Sequence, residues 1–451
     1  MTKEIQQETI RGIALRAKAL GGRAMLVGGC VRDALTGRGS ADIDCEVYGL
    51  APQALRSLAA EFGEVDESGA RYGIFSLKGA GIDLAVPRLE RRTGPKHGDF
   101  DVRLDPALPF ARAAARRDFT VNAILQDALT GEIVDPFGGQ DDLRRGVLRA
   151  VPGDGFAEDP LRVLRGAQFA ARFRLSPDAK TLEKMRTMRT DALSPARVLG
   201  EMKKAMASDA PDVFFDVLRR ADALRTWFGE LAALIGVPQP PRYHPEGDAY
   251  THSMRVLHAA AQKKARALRP EAFVFAALTH DLGKAVSTAR GEDGEWHACG
   301  HENTGVPLTR AMLGRLGVNR EIIAYCENMC RLHMRAHVCH YRQAETGETN
   351  LLFDESVCPN DLALLAVCDT LGKGSASGGA DGEAAFLTGR VRVYEETAAR
   401  GLPDGGMLLA AGMEPGPQLA EALAAARRLG VDTILTSGRQ ASCTEGAALL
   451  R

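Results

Sequence analysis

The residues in this chain best suited to chemistry are Leu26-Val27-Gly28-Gly29-Cys30-Val31-Arg32-Asp33, followed nine positions later by Asp42-Ile43-Asp44. A glycine pair opens a turn in which backbone N–H groups can meet phosphate oxygens. Asp42 and Asp44 alternate on what reads as a strand, so their side chains share one face. Hard oxygen ligands opposite a phosphate cradle suit a divalent metal bridging a nucleoside triphosphate. Asp-x-Asp alone is equally the pattern of a turn or a solvated strand edge, and Arg32 is what shifts the reading, because it can neutralise a triphosphate. A two-metal site needs a third carboxylate. Asp83, in Gly81-Ile82-Asp83-Leu84-Ala85-Val86, is the candidate, with a strand-end carboxylate in solvent as the structural alternative.

Three further motifs follow. Arg116-Arg117-Asp118-Phe119-Thr120-Val121-Asn122-Ala123 reads as ribose and phosphate contact, or as a helix start capped by Asp118. In Glu158-Asp159-Pro160-Leu161-Arg162-Val163-Leu164-Arg165, Asp before Pro signals a helix start. Asp159, Arg162 and Arg165 then continue along one helix face. Leu193-Ser194-Pro195-Ala196-Arg197 leads to Glu201 and reads as a capped helix with an i,i+4 ion pair.

A second constellation lies later in the chain: His252, His280-Asp281, His301, His333, His337 and Asp369. Neutral imidazoles with carboxylates suit a divalent metal whose bound water attacks phosphate. His333 and His337 have the i,i+4 spacing of two ligands on one helix. Cys326 and Cys330 extend that stripe and raise a zinc alternative. Four ligands on one continuous helix cannot easily wrap a tetrahedral ion, so these cysteines read as small core residues.

The elements that position these groups follow from periodicity. With 451 residues the chain is too long for one core, and two to four domains are expected. Residues 1–20 read as a helix with Ile5, Ile10, Ile13 and Leu20 in register. Strands are expected over 24–27, 42–47, 74–77 and 82–86, with a helix over 52–62. Arg88–Ala111 is polar and reads as a mobile loop. Helical periodicity runs from 143 to 234, a Pro-rich linker spans Gly236–Asp248, and a second helical region reaches about Thr370. The expected division is 1–142, a helical neck over 143–235, a helical domain over 249–372 and a helical tail over 373–451. Nine cysteines without regular spacing read as reduced thiols, and a net charge of −1 gives no global case for nucleic acid. Arginines cluster between about 144 and 204, which suits a phosphate-tracking surface or a solvated helix face. No apolar run spans a bilayer and no signal peptide is evident, so a cytoplasmic protein with no membrane association is expected.

In order, GGCVRD, DID, RRDFTVNAI, EDPLRVLR and LSPAR resemble the bacterial class II tRNA nucleotidyltransferases, the CCA-adding enzymes, and their relatives the bacterial poly(A) polymerases. The match covers roughly the first 230 residues. The resemblance implies an α+β fold: a polymerase-β-like head with a mixed sheet plus helices, then a mostly helical neck and body. It implies Mg2+ held by Asp42 and Asp44, and nucleotide contacts by Gly28, Gly29, Arg32, Arg117, Asp118, Arg162 and Arg165. Partners would be tRNA, CTP and ATP. Relatives often carry an arginine three residues after Arg165, where this chain has Gln168, so one phosphate or tRNA contact is missing from the pattern. The histidine series resembles the HD phosphohydrolase superfamily, which implies an all-α HD domain holding a transition metal or Mg2+. HD domains fused to CCA enzymes resemble those with phosphatase and 2′,3′-cyclic phosphodiesterase activity.

Enzymes of this kind choose bases without a nucleic-acid template, so side chains must read the base edge. Cytosine and adenine each offer an amine donor beside a ring-nitrogen acceptor. A carboxylate accepts from the first and a guanidinium donates to the second, a match that Asp159 and Arg162 supply. Uracil and guanine reverse the order. Three products stay open beside CCA addition: A addition, CC addition and poly(A) synthesis. A chain that is chiefly an HD phosphohydrolase is a further alternative, and the C-terminal 412–417 segment (GMEPGP) does not decide among them.

Overall fold

The structure is a computed structural model that describes residues 2–40, 42–92, 100–374, 379–399, 406, 409 and 414–423. The chain divides into two units, Met1–Leu193 and Ser194–Arg451. Residues 143–193 therefore fold with the head, and residues 194–235 with the later helices.

The head is organised by the period-2 alternation of two strands, β2 (Ile43–Tyr48) and β5 (Ile82–Ala85). Cys45 and Val47 of β2 and Ile82 and Leu84 of β5 share one face. They pack there against Ile10 and Ile13 of α1 (Lys3–Ala19) and Leu55 and Leu58 of α3 (Pro52–Ala60). Each such fully buried aliphatic side chain contributes roughly 1.5–3 kcal/mol. A one-residue slip would drive Asp44 and Glu46 into that core, so the packing fixes the register that presents the carboxylates. Ile5 and Leu20, expected on the apolar stripe of α1, are exposed at its two ends.

The remaining head strands are β1 (Arg23–Val27), β3 (Val65–Asp66), β4 (Ile74–Leu77), β8 (Leu125–Asp127) and β9 (Ile133–Val134). The seven-stranded sheet runs β3-β4-β5-β2-β1-β8-β9. β2 and β5 are parallel, and the other neighbouring pairs are antiparallel. Between β1 and β2 lies the short helix α2 (Gly29–Leu35).

The polar segment 88–111 is not simply a loop. β6 (Arg88–Arg92) and β7 (Phe100–Leu104) pair from Arg88↔Leu104 to Arg92↔Phe100, and α4 (Phe110–Ala114) follows. The alternation of Phe100, Val102 and Leu104 carries a strand signal that the surrounding charge hides. Residues 93–99 of this segment lie outside the described residues.

The unit continues through α5 (Gly139–Arg145), the parallel pair β10 (Val147–Leu148) and β11 (Ser176–Pro177), α6 (Leu161–Phe173) and α7 (Ala179–Arg186). α6 is seated by Phe119, whose ring lies 5.5 Å from Phe156 and 5.7 Å from Phe169. Gly166 makes this possible, since a Cβ there would stand 3.0 Å from Phe119 Cζ.

The second unit is helical: α8 (Pro195–Met206), α9 (Asp212–Arg220), α10 (Leu224–Trp227), α11 (Gly229–Ala232), α12 (Ala249–Lys263), α13 (Pro270–Thr279), α14 (Lys284–Ser287), α15 (His301–Leu316), α16 (Arg320–Tyr341), α17 (Thr346–Glu355), α18 (Pro359–Gly372) and α19 (Ala380–Ala399). A short hairpin, β12 (Ala289–Arg290) with β13 (Trp296–His297), precedes α15. Residues 272–279 of α13 are buried on every side, and α12, α16 and α18 pack around it. Gly283 lets α15 close on the corner after α13, because a Cβ there would stand 2.0 Å from the His301 carbonyl oxygen. No helix among the described residues is long and apolar enough to cross a membrane. Of the segment 412–417, residues 412 and 413 lie outside the described residues, as does 424–451 of the tail.

Candidate functional site

In the head, parallel pairing sets Asp44 directly opposite Asp83. Both face away from the aliphatic core, and Asp42 precedes them at the mouth of β2. Partial burial pushes the Asp44 carboxyl pKa up. Arg117 pulls it down, while Asp83, Asp42 and Glu46 each push it up. A carboxylate crowded by carboxylates, with hard oxygens on one face, fits a divalent cation.

Arg117 is brought to this cluster by two features. Gly28 has φ +75°, which favours glycine, and a Cβ there would stand 3.1 Å from Arg117 Nη1 and 3.6 Å from Asp44 Oδ2. Glu46, two residues beyond Asp44, accepts from Arg116 Nη2 at 2.6 Å and Arg117 Nη2 at 3.0 Å, and Tyr48 Oη donates to its other oxygen at 3.0 Å. Glu46 was not singled out from sequence, although its place in the 42-44-46 alternation was the available signal.

Although burial opposes it, Arg117 and Arg116 hold the Glu46 pKa at about 2, below its ordinary 4.5. A depressed carboxylate stabilises the fold fully above pH 4.5, and that stabilisation is lost as pH falls toward 2. Its size is on the order of 3 kcal/mol. The protection factors of the β2 amides in the full chain, corrected for the intrinsic pH dependence of exchange, should therefore fall between pH 5 and pH 3. In Glu46→Gln these amides should be less protected at pH 6, with much of the pH dependence gone.

The other residues expected to contact the nucleotide are braced against one another and the backbone. Arg32 is 5% exposed; it donates to Asp33 Oδ1 from Nε at 2.9 Å and to Asn122 Oδ1 from Nη1 at 2.5 Å. Its guanidinium lies 4.0 Å from the Phe173 ring centroid. Asp118, also buried, accepts from Phe119 N at 2.8 Å, Asn122 Nδ2 at 2.9 Å and Arg165 Nε at 2.7 Å. Asp118 therefore ties Arg165 and Asn122 together rather than standing open as a contact. Arg32 reaches back beside Gly29, whose Cβ would meet Arg32 Nη2 at 3.6 Å. Arg162 donates to the carbonyls of Gly155 and Arg116, both at 2.7 Å. Asp159 Oδ1 accepts from Leu161 N at 3.0 Å, the cap its sequence position predicts. Gln168 is buried inside α6.

In the second unit the structure gathers the histidine series. Ligand atoms of His252, His280 and Asp369 lie within 4.8 Å of one another, as do those of Asp281, His301 and His333. His301 Nε2 is 3.1 Å from Asp281 Oδ1, and His252 Nε2 is 2.9 Å from Asp369 Oδ1. Yet His252 Nε2, His280 Nε2 and both Asp281 oxygens are buried without a well-aligned hydrogen bond. The imidazole nitrogens and carboxylate oxygens converge on one small volume, as donors around a cation do.

Their other ends are fixed. Nδ1 of His280, His301 and His333 donates to the carbonyls of Ala277, Ala298 and Cys330 at 2.9, 2.7 and 2.6 Å. Nε2 is therefore the nitrogen left to face the cluster. Burial lowers the His333 pKa to about 4, so that ring stays neutral. Burial pushes the Asp281 carboxyl up, but His280 and Lys284 beside it hold it well below the usual range.

His337, expected as a ligand, stands outside this group. Its Nε2 bonds to Asp369 Oδ2 at 2.6 Å and its Nδ1 to Glu383 Oε1 at 2.7 Å. Four residues along a helix advance about 6 Å, enough to carry it past the centre that His333 reaches. Against burial, the two carboxylates raise its pKa to about 9, so it is a cation that clamps Asp369. Cys326 and Cys330 point into the core, Cys330 Sγ lying 3.3 Å from the His280 carbonyl.

A cavity of about 440 Å³ opens onto the cluster and is lined by Lys284, His301, Asp369, Lys373, His244 and Trp296 among others. Lys284 is buried with Nζ 2.5 Å from Asp281 Oδ2. Glu383 was missed from sequence because it is a lone residue remote from the series, and His244 because it lies in the Pro-rich segment read as a linker.

A mixed-sheet head with a strand carboxylate cluster, on one chain with a helical His/Asp centre, defines a nucleotidyltransferase carrying an HD domain. The Poly A polymerase head domain family matches residues 24–149, and the HD domain family matches residues 249–371. A multifunctional CCA protein of Nitrosococcus oceani is 41% identical over 318 residues, covering 69% of this chain and 74% of that protein. One of Xanthomonas campestris pv. campestris is 37% identical over 419 residues, covering 89% and 96%. The chain belongs to the multifunctional CCA protein family. Its fold is also that of a CCA-adding enzyme in apo form, with TM-score 0.65 at 18% identity, covering 100% of this chain and 96% of that one. The Thermotoga maritima CCA-adding enzyme complexed with tRNA gives 0.63 at 17%, covering 100% and 97%.

Proposed function

We propose that the head adds C, C and A, taken from CTP and ATP, to the 3′ end of tRNA without a nucleic-acid template. The observation that carries this reading is the Asp44–Asp83 register beside Asp42, with Arg117 laid over Gly28, in a chain of this family. The tRNA 3′-hydroxyl attacks the α-phosphate, a P–O bond forms to it, and the bond to pyrophosphate breaks. Asp42, Asp44 and Asp83 would hold Mg2+, which when bound activates the hydroxyl and neutralises the leaving pyrophosphate. Gly28 and Gly29 admit the triphosphate close to the backbone. Arg117, held by Glu46, supplies a fixed positive charge beside it. Asp159 and Arg162 read the base edge. The protein works in the cytoplasm.

A second activity is favoured by the convergent buried donors and the adjoining cavity. The HD centre hydrolyses phosphomonoesters and 2′,3′-cyclic phosphates, a chemistry suited to trimming damaged tRNA ends. His252, His280, Asp281, His301, His333 and Asp369 would hold a divalent transition metal or Mg2+, which when bound supplies an activated water. Lys284 and Lys373 give the cavity positive charge for the phosphate.

Purified protein incubated with tRNAs ending before C, CC and A, and with each nucleoside triphosphate in turn, tests the main reading. Ordered addition stopping at CCA is the expected product. Incorporation of ATP alone into long tails would overturn it. Hydrolysis of 2′,3′-cyclic AMP, lost in His280→Ala with Asp281→Ala, tests the second.

A further inference from the structure

The Pro-rich segment 236–248 has a linker's composition, yet it is packed into the HD centre. It is closed by Gly236 N donating to Asp248 Oδ2 at 2.6 Å and by Gln239 Nε2 donating to the Gly247 carbonyl at 3.2 Å. Lys284 Nζ donates to Gln239 Oε1 at 2.9 Å. From this segment Glu246 reaches inward, its side chain fully buried, and its Oε1 takes His252 Nδ1 at 2.7 Å and His244 Nδ1 at 2.8 Å.

Four histidines turn Nε2 toward the cluster. Three of them anchor Nδ1 on a carbonyl three residues back in their own chain. His252 differs, since its Nδ1 partner is a carboxylate supplied from outside its helix. A carboxylate only accepts, so Nδ1 carries a proton toward Glu246, and Nε2, 2.9 Å from Asp369 Oδ1, is the nitrogen from which a bound cation would displace the proton. It also makes the imidazole a stronger donor than a neutral carbonyl would. Glu246 Oε2, meanwhile, is buried with no hydrogen-bond partner. A residue kept for packing alone would not carry that unsatisfied oxygen.

We propose that Glu246 is a positioning residue of the HD metal site, fixing the tautomer and raising the basicity of His252, so that segment 236–248 is part of the site. This rests on the reading of the HD centre as a divalent-metal site. The test uses the full chain, stripped of metal, with Ni2+ as the probe in competition against a chelator of known strength. Long-range 15N–1H spectra report the His252 ring without metal. In Glu246→Ala, Ni2+ affinity should fall about 10–100-fold and the His252 Nδ1–H signature should be lost. Glu246→Gln, which keeps the shape and an accepting oxygen, should retain the tautomer and lose less affinity. If either the affinity or the tautomer is unchanged in Glu246→Ala, Glu246 does not act through His252. A wild-type chain that binds no Ni2+, Mn2+ or Mg2+ at this centre would overturn the metal reading itself, and this inference with it.

Discussion

Asp44→Ala should lower single-turnover incorporation of both CMP and AMP into tRNA by about 10³-fold or more, with hydrolysis of 2′,3′-cyclic AMP retained. The magnitude follows from the charge removed. Metal-assisted stabilisation at a reacting phosphate is worth several kcal/mol, and each 1.36 kcal/mol is roughly tenfold in rate. Of the three head carboxylates, Asp44 is the one flanked on both sides: Asp83 lies opposite it in register, and Asp42 precedes it on the same strand. Its loss removes the centre of the donor set, while loss of Asp83 removes a flank. Asp83→Asn should therefore slow the reaction less than Asp44→Ala. It should also lower the Asp44 pKa, because Asp83 is one of the charges pushing it up. Asp44→Ala retaining more than a tenth of wild-type transfer would dismiss this carboxylate as a reaction-centre ligand. Loss of both activities together would mean that the variant is misfolded.

The parts of the head that were legible in the sequence are those where one periodicity fixes both fold and site. In β2 the alternation that buries Cys45 and Val47 also presents Asp44 and Glu46, so a strand reading already carried the carboxylate geometry. The His/Asp cluster of the second unit was legible for another reason, since His280-Asp281 at the end of an all-apolar helix has few structural explanations. What escaped was supplied across the tertiary fold by residues with no local pattern. Glu46 holds Arg116 and Arg117 from some 70 residues away in sequence. Glu383 reaches His337 from 46 residues away. Glu246 sits among prolines whose composition spoke only of a loop. His337 is the opposite case: its spacing was right for a helix face, but one helical turn places it against Asp369 and Glu383 rather than among the converging atoms.

Arg162→Ala should compress nucleotide choice as well as slow transfer. CMP and AMP incorporation should fall roughly 5–150-fold, corresponding to the 1–3 kcal/mol of one good base-edge pair, while misincorporation of UMP and GMP changes little. The geometry gives a reason to expect a fixed reader. Arg162 is held by the carbonyls of Gly155 and Arg116, and Asp159 by the N–H of Leu161. Two N–H groups of the five on a guanidinium suffice for those carbonyls, and the planar fork keeps the rest directed. Arg162→Lys keeps the charge and loses the fork, so it should restore little selectivity. Single-turnover rates for all four nucleoside triphosphates separate this from scaffolding. Alanine also leaves the two carbonyls short of a donor, a cost that would slow every nucleotide alike. A uniform loss across CTP, ATP, UTP and GTP would therefore assign Arg162 to holding the Gly155 and Arg116 backbone. A loss confined to C and A assigns it to the base.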